Sequence, residues 1–169
     1  MRDTLVLTII GADRAGLVES LAAKIASVGG NWEEGRMARL AGQFAGVLQV
    51  TVESARSDEL VRALRTLDGA GLQVTVRPTA APPKPAGARV HLEITGQDRP
   101  GIVRDISKIL VERGANIEEL ESTVGSAPMS GETMFTVKID LHAPSLDVAD
   151  LRARLEALAG ELMVDVSDG

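Results

Sequence analysis

The sequence predicts an α+β protein made of two consecutive βαββαβ modules. Three observations predict this fold class: short segments in which apolar residues alternate, apolar stripes at helical spacing between them, and a repeat of the whole pattern after 85 residues. A period of two is typical of a strand that buries one face, whereas spacings of three and four are typical of an amphipathic helix.

The repeat is clearest between residues 5–34 and 90–119. Eleven of the thirty aligned pairs are identical, and they include glycines, charged residues and apolar residues. Gly11 and Gly96 are one such pair. Because the matched positions fall in the same order within the same element pattern, we interpret the halves as two copies of one supersecondary unit.

A proline-rich segment separates the two copies. It holds four of the seven prolines of the chain, and this composition is typical of a semi-rigid, extended linker. The predicted organisation is a first domain over residues 1–77, a linker over 78–88 and a second domain over 89–169.

Each module opens with a strand that is followed by a helix. The alternating apolar residues of this strand are Leu5, Leu7 and Ile9 in the first module and Val90, Leu92 and Ile94 in the second. The helix stripe consists of Leu17, Leu21, Ile25 and Val28, matched by Ile102, Ile106 and Leu110. Gly29 and Gly114 suit the left-handed residue that ends a helix, and Pro100 suits a first helical turn.

The second half of each module repeats the order of strand, strand, helix and strand. A strand begins at about Asn31 or Asn116, and the next carries Leu48, Val50 and Val52, or Val137, Ile139 and Leu141. The second helix carries Leu60, Leu64 and Leu67, or Leu151, Leu155 and Leu158, and the last strand Leu72, Val74 and Val76, or Leu162, Val164 and Val166. This order predicts a four-stranded antiparallel sheet with two helices on one face, the ferredoxin-like sandwich.

The composition excludes several kinds of site. The chain has no cysteine, which excludes disulfides, thiolate metal sites and a cysteine nucleophile. No serine–histidine–acid or metal-ligand pattern recurs, so we predict no catalytic residues, no metal and no cofactor. His91 and His142 have no equivalents in the first module, and we interpret both as ordinary surface or strand-end residues.

The charge distribution disfavours direct nucleic-acid binding. Residues 1–77 carry nine basic and nine acidic side chains, whereas residues 78–169 carry nine basic and fifteen acidic ones. Neither half clusters Lys and Arg to neutralise phosphates, and 2% aromatic content leaves little for base stacking. No apolar run approaches the roughly 20 residues that span a bilayer, and no signal peptide is recognisable. We therefore expect a cytoplasmic protein without membrane contact.

The segment between the first strand and the first helix is the candidate ligand site. It reads Gly-Ala-Asp-Arg-Ala-Gly in the first module and Gly-Gln-Asp-Arg-Pro-Gly in the second. Glycines let backbone amides approach a ligand, and a helix N-terminus can hold a carboxylate. Two interpretations stay open for Asp13 and Asp98, which can instead cap their helices. Arg14 and Arg99 can steer a carboxylate or pair with an aspartate.

This glycine loop, together with Gly-Ala-Asn-Ile after the helix, resembles the ACT domain, a regulatory module that binds small molecules. Residues 96–102 and 114–117 match the pattern closely, while the first module departs from it at Ala15, Gly30 and Trp32. Two such modules without a catalytic domain resemble the glycine cleavage system transcriptional repressor group, cytoplasmic proteins that act on a partner transcription activator.

The resemblance implies a non-enzymatic regulator that senses a small amino acid of the glycine or serine class where two ACT domains meet. Its output would pass through a protein partner such as a transcription activator, in the transcriptional control of glycine cleavage. In this family the ligand meets the glycine loop and the asparagine that begins the second strand. The implied ligand-binding residues are Gly11, Ala12, Asp13, Arg14, Gly16, Leu17 and Asn31, with Gly96, Gln97, Asp98, Arg99, Pro100, Gly101, Ile102 and Asn116.

A ligand-free module for protein–protein interaction or oligomerisation is the alternative, and the sequence leaves a homodimer open. In that case the glycine loops only shape an interface, and Asn31 and Asn116 serve the left-handed turn after a helix-ending glycine. The recurring acidic residues can hold an ammonium group or simply form a charged outer sheet face; they are Glu33, Glu34, Glu118 and Glu119. The loop over residues 126–131, longer than its counterpart, is a candidate partner contact.

Overall fold

The computed structural model describes residues 1–80, 87–126, 131–158 and 162–168. The chain divides into two compact modules, Met1–Pro83 and Lys84–Gly169. The centres of the predicted linker (78–88) and of the candidate partner loop (126–131) lie outside the described residues. No helix in the described ranges is long and apolar enough to cross a membrane.

The first module has the predicted order of elements. They are β1 (Arg2–Ala12), α1 (Leu17–Ser27), β2 (Asn31–Leu40), β3 (Gln43–Glu53), α2 (Ser57–Arg65) and β4 (Leu72–Thr79). The four strands form one antiparallel sheet in the order β2-β3-β1-β4. This strand order is that of the ferredoxin-like βαββαβ sandwich, which confirms the predicted topology.

The second module repeats the first. Its elements are β5 (Ala88–Gln97), α3 (Ile102–Glu112), β6 (Asn116–Ser126), β7 (Thr133–Ala143), α4 (Val148–Glu156) and β8 (Met163–Asp168). The sheet order is β6-β7-β5-β8, again antiparallel throughout. β4 includes Thr79 and β5 begins at Ala88, so strand pairing extends into both ends of the segment predicted as linker.

Each module has its own aliphatic core between the sheet and its two helices. In the first module the predicted apolar positions of β1, α1 and β3 are all buried, and Leu7 at the centre of the sheet is fully buried. Leu92 is its equivalent in the second module and is also fully buried. Burying one such side chain contributes about 1.5–3 kcal/mol, so the alternating pattern accounts for the face that the helices cover.

The starts of α1 and α3 differ from the capping that the sequence suggested. Both helices begin directly after a glycine in the left-handed region, Gly16 at φ 86° and Gly101 at φ 85°, and no side chain caps either helix. The interpretation that Asp13 and Asp98 cap their helices is therefore wrong, because each precedes the left-handed glycine by three residues. By contrast, Asp147 does cap α4, since its carboxylate accepts a hydrogen bond from the backbone of the first turn.

Glycines end α1 and α3 as predicted. Gly29 lies at φ 71° and Gly114 at φ 65°, and these left-handed positions turn the chain from each helix into the following strand. Pro100, in contrast, lies in the turn before α3 rather than in its first helical turn. The left-handed Gly101 intervenes between the proline and the helix.

The β2–β3 hairpin contains a strained alanine. Ala41 at φ 49° and Gly42 at φ 78° form its two-residue turn, and Ala41 is the one non-glycine residue at positive φ among those described. Type I′ turns favour Asn-Gly because asparagine tolerates the left-handed region. We expect Ala41→Asn to stabilise the first module by about 0.5–1 kcal/mol, seen as a higher urea midpoint at unchanged m. Ala41→Val should lower the midpoint; equal midpoints for all three proteins would contradict the strain.

Candidate functional site

The first glycine loop connects β1 to α1 and is held by its own polar groups. The Asp13 N–H donates to the Gly42 carbonyl at 2.9 Å, and the Asp13 carboxylate lies 3.3 Å from the Arg39 guanidinium. Arg14 donates from Nη2 to the Ala70 carbonyl. The loop is therefore braced on one side by the β2–β3 hairpin and on the other by the turn before β4.

The second glycine loop is braced in a related way. The Asp98 N–H donates to the Thr133 carbonyl at 2.9 Å, and Arg99 Nη1 donates to Asp105 Oδ2 at 2.8 Å. Arg104 bonds the other oxygen of the same carboxylate at 2.8 Å. The Arg99 hydrogen bond, followed by that of Arg104, holds the pKa of Asp105 below its ordinary value. Of the two interpretations of Arg99, pairing with an aspartate is the one that the structure supports.

The glycines of the first loop serve two different structural needs. A Cβ on Gly11 would meet the Gly71 carbonyl oxygen at 2.4 Å, so β1 and β4 approach too closely for any side chain there. A Cβ on Gly16 would have open space around it, and this glycine is required for its left-handed φ instead. Both glycines are thus explained by the fold itself.

Asn31 lies at the opposite end of the sheet from the glycine loop of its own module. Asn31 pairs with Thr51, which pairs in turn with Thr4 near the start of β1. The loop follows Ala12 at the end of β1, eight residues from Thr4, or roughly 25 Å at about 3.3 Å per residue. The structure therefore does not bring these two predicted parts of the site together within a module.

The second module shows the same separation. Asn116 pairs with His142, which pairs with Arg89 at the start of β5, whereas the glycine loop begins at the other end of that strand. Both asparagines are the first residues of strands, and neither has the positive φ that the turn interpretation requires. That interpretation is wrong.

Four side chains of the first module form what we term the Asn31 corner: Arg2, Asn31, Glu33 and Thr51. Asn31 Nδ2 and Thr51 Oγ1 donate to Glu33 Oε1 at 2.9 and 2.7 Å. Arg2 Nη2 donates to Thr51 Oγ1 at 3.1 Å and to the Thr51 carbonyl at 3.3 Å. These residues line an open depression whose remaining wall is the end of α1 at Ala26 and the turn that follows it at Gly29 and Gly30.

The hydrogen bonds of the Asn31 corner keep Glu33 ionised. The Asn31 amide, followed by the Thr51 hydroxyl, lowers the pKa of the Glu33 carboxyl, and the charge of Arg2 adds to the effect. A bulge between Trp32 and Glu34 shifts the register of β2 at this point, so no residue of β3 pairs with Glu33 in the strand ladder. The Glu33 side chain instead accepts hydrogen bonds from the side chains of Asn31 and Thr51.

The equivalent site in the second module, the Asn116 corner, consists of Arg89, Asn116, Glu118 and His142. Glu118 Oε2 lies 3.6 Å from Arg89 Nε, and Glu118 Oε1 lies 2.9 Å from His142 Nδ1. The His142 contact is not aligned as a hydrogen bond, and its Nδ1 has no hydrogen-bond partner among the described residues. Here the recurring glutamate faces two basic side chains of its own module.

Sequence reasoning found the asparagine and the glutamate of each corner but missed their neighbours. Those neighbours are Arg2, Thr51, Arg89 and His142. The spacing of Asn31 to Glu33 recurs as Asn116 to Glu118, and this shared spacing was the available signal. Arg2 joins the Asn31 corner through a side-chain hydrogen bond to Thr51, which is 49 residues away in the sequence. No local sequence pattern encodes this contact. In the described part of the chain, no cluster of His, Asp or Glu side chains could hold a metal ion.

The sequence predicts that His91 and His142 are ordinary surface or strand-end residues, and in the structure each lies beside a carboxylate. His91 Nδ1 lies 2.7 Å from Asp140 Oδ1, and Arg89 Nη2 donates to Asp140 Oδ2 at 3.3 Å. The His91 hydrogen bond is the largest cause of a pKa of Asp140 below its ordinary value, and Arg89 adds to it.

This pKa shift predicts how the stability of the second module depends on pH. A carboxyl with a lowered folded pKa stabilises the fold above its ordinary pKa of 3.8, and this contribution is lost as the pH falls through the lower folded value. Asp140→Asn should therefore be less stable than the parent at neutral pH, with the difference closing on acidification. Urea midpoints measured across this range test it. Asp165→Asn is the control, because the Asp165 carboxylate is 86% exposed and lies 3.9 Å from the Arg152 guanidinium. A pH-independent difference for Asp140→Asn would contradict the assignment.

The ACT domain family matches residues 3–77 and again residues 90–159. The chain is 30% identical to the glycine cleavage system transcriptional repressor of Escherichia coli (strain K12) over 162 residues, covering 94% of this chain and 85% of the relative. The UPF0237 protein of Methanocaldococcus jannaschii is 37% identical over 79 residues, 47% of this chain and 83% of the relative.

Among solved structures, an unknown protein from Galdieria sulphuraria superposes with a TM-score of 0.87. It is 27% identical in sequence, and the match covers 100% of this chain and 99% of that protein. The likeness therefore extends over the whole chain and includes both modules.

Proposed function

This chain belongs to the ACT domain family, and we propose that it is a non-enzymatic regulator that binds a small amino acid and acts through a protein partner. The observation that carries the proposal is the length of the match to the transcriptional repressor. At 94% of this chain, the similarity spans both modules rather than a single shared domain. A regulatory rather than a catalytic role follows from this membership.

We propose the ligand class and the protein partner from the similarity to the transcriptional repressor, not from the geometry of the loops and corners. Because that relative is a repressor of the glycine cleavage system, we infer a ligand of the glycine or serine class and a role in transcriptional control of glycine cleavage. The proposed partner is a transcription activator, and the proposed location is the cytoplasm. Direct nucleic-acid contact is not part of the proposal, since the excess charge of the chain is acidic.

Two places in each module are candidates for ligand contact: the glycine loop and the corner at the start of the second strand. A molecule of the size of glycine cannot span the roughly 25 Å that separates them along one sheet. Within one module, a single ligand therefore contacts either the loop or the corner. That the ligand lies where two ACT modules meet stays a prediction.

A melting-temperature screen against the twenty amino acids tests the proposal. A ligand that binds only the native state adds about 2.7 kcal/mol at a hundredfold excess over its Kd, which raises Tm by several degrees for a protein of this size. We expect one small amino acid to give such a dose-dependent rise. A flat response to all twenty would contradict amino-acid sensing.

A ligand-free interaction module is the second candidate function, and the outer sheet face of the first module favours it. Ile10 is 48% exposed and Val47 is 45% exposed on that face. The register-equivalent positions of the second module carry Thr95 and Lys138 instead. Exposed apolar side chains on one sheet are typical of a protein contact, and the same screen separates this candidate from the first.

A further inference from the structure

We propose that the Asn31 corner binds the zwitterion of a free α-amino acid, with Glu33 accepting the ammonium group and Arg2 binding the carboxylate. We further infer that the Asn116 corner of the second module is not such a site, because its own basic side chains already face its glutamate. The inference rests on the proposed function and adds to it the module and the residues that recognise the ligand.

Glu33 is prepared to accept an ammonium group. Both of its hydrogen bonds, from Asn31 and Thr51, reach Oε1, and within the described residues Oε2 accepts none. Both donors are neutral, so they orient the carboxylate without neutralising it. An ammonium group brought to Oε2 would form a charge-assisted hydrogen bond, which is stronger than one between neutral groups.

Arg2 is bonded to Thr51, the residue that also bonds Glu33, and it has N–H groups left for a ligand. Its Nη2 is committed to Thr51, which fixes the guanidinium, while Nε and Nη1 make no hydrogen bond to any residue that the structure describes. The strand end is anchored as well, because the Ser54 N–H donates to the Met1 carbonyl at 3.1 Å. A fixed guanidinium with free N–H groups is suited to a carboxylate.

The backbone around the depression adds to this polarity. Its remaining wall is the end of α1 at Ala26 and the turn that follows at Gly29 and Gly30. A helix C-terminus carries a partial negative charge and favours a cationic group. The lining of the depression thus combines a helix end and Glu33, which favour an ammonium group, with Arg2, which favours a carboxylate.

The second module provides a natural comparison. At the repeat distance of 85 residues, Gly87 stands where the first module has Arg2, so the outer cation is missing. His142 occupies the strand position of Thr51, and it and Arg89 both face Glu118. Because Arg89 lies beside Oε2 and His142 beside Oε1 of Glu118, an incoming ammonium group would have to compete with these two side chains.

Calorimetric titration with glycine and L-serine tests the inference on the full chain. Glu33→Gln keeps an oxygen acceptor for Asn31 and Thr51 but removes the charge, and Arg2→Met keeps the aliphatic stem and removes the guanidinium. Each should weaken binding by roughly tenfold to a hundredfold, the range for losing one charged hydrogen-bond partner. Glu118→Gln, the matched change in the second module, should leave the affinity as in the parent.

Two analogues assign the ends of the ligand. Glycinamide lacks the carboxylate, so its weaker binding should not change further in Arg2→Met. N-acetylglycine lacks the ammonium group, so its binding should not change further in Glu33→Gln. If the parent binds glycine or serine and both variants bind equally well, the site assignment is overturned while the proposed function stands. If the parent binds no amino acid at all, both are overturned.

Discussion

Replacing Leu7 with alanine is expected to lower the free energy of unfolding of the first module by about 2.7–5 kcal/mol, the range for emptying a fully buried leucine site. Leu7 is at the centre of β1 with no exposed surface, between strands β3 and β4 and beneath the two helices. The loss combines the transfer of the side chain with the cavity that its neighbours cannot fill.

The control is the adjacent residue on the same strand. Val6 lies on the outer face and is only half-buried, so Val6→Ala should cost less than about 1 kcal/mol. Urea unfolding followed by amide signals from the first module distinguishes the two variants. Comparable losses for both would mean that the sheet does not bury the face assigned to it.

Gly11→Ala is expected to destabilise the first module by about 2–3 kcal/mol, within the range for overpacking a close contact. The new Cβ would lie 2.4 Å from the Gly71 carbonyl oxygen and 3.2 Å from the Leu72 Cα. Both neighbours are backbone atoms, so relief requires β1 and β4 to move apart. The repeated glycine at this point of the loop would then reflect strand packing rather than ligand contact.

Gly69→Ala is the matched control, because a Cβ there would meet nothing within 4 Å and its φ is not in the left-handed region. This change should be neutral, or stabilising by up to about 1 kcal/mol through the unfolded chain. Thermal unfolding of the two variants beside the parent is sufficient. A Gly11→Ala protein as stable as the Gly69→Ala protein would contradict the packing account.

The fold could be predicted because each strand and helix buries one face, so that apolar residues recur at the spacing of that element. Leu5, Leu7 and Ile9 alternate with outward residues, and all three are buried in the structure. The stripe of α1 likewise includes Leu21 and Ile25, both buried. The repeat strengthened each assignment, since every element had to fit two sequences at once.

The helix starts could not be predicted, because they depend on backbone angles that the residue types only permit. An aspartate before a helix is a reasonable cap, but the left-handed Gly16 moves the helix start beyond the reach of Asp13. The Asp13 carboxylate faces Arg39 instead. Only the three-dimensional hairpin brings that arginine to the loop.

The candidate site was predicted in part, for a similar reason. The glycine loop and Asn31 are close in sequence, yet the eleven residues of α1 carry the chain roughly 16 Å back along the sheet between them. Asn31 instead pairs with Thr51 of β3, and the Arg2 side chain donates to Thr51 from the neighbouring strand β1. Partners of this kind come from topology, which a pattern of neighbours does not contain.

Amino-acid binding by this chain is tested most directly by a titration of the 15N-labelled protein with glycine, followed by L-serine and the other amino acids. We expect saturable shifts confined to a few amides, with those of Asn31, Glu33 and Thr51 among the largest. If no amino acid shifts any amide in a saturable way, the chain is not an amino-acid sensor.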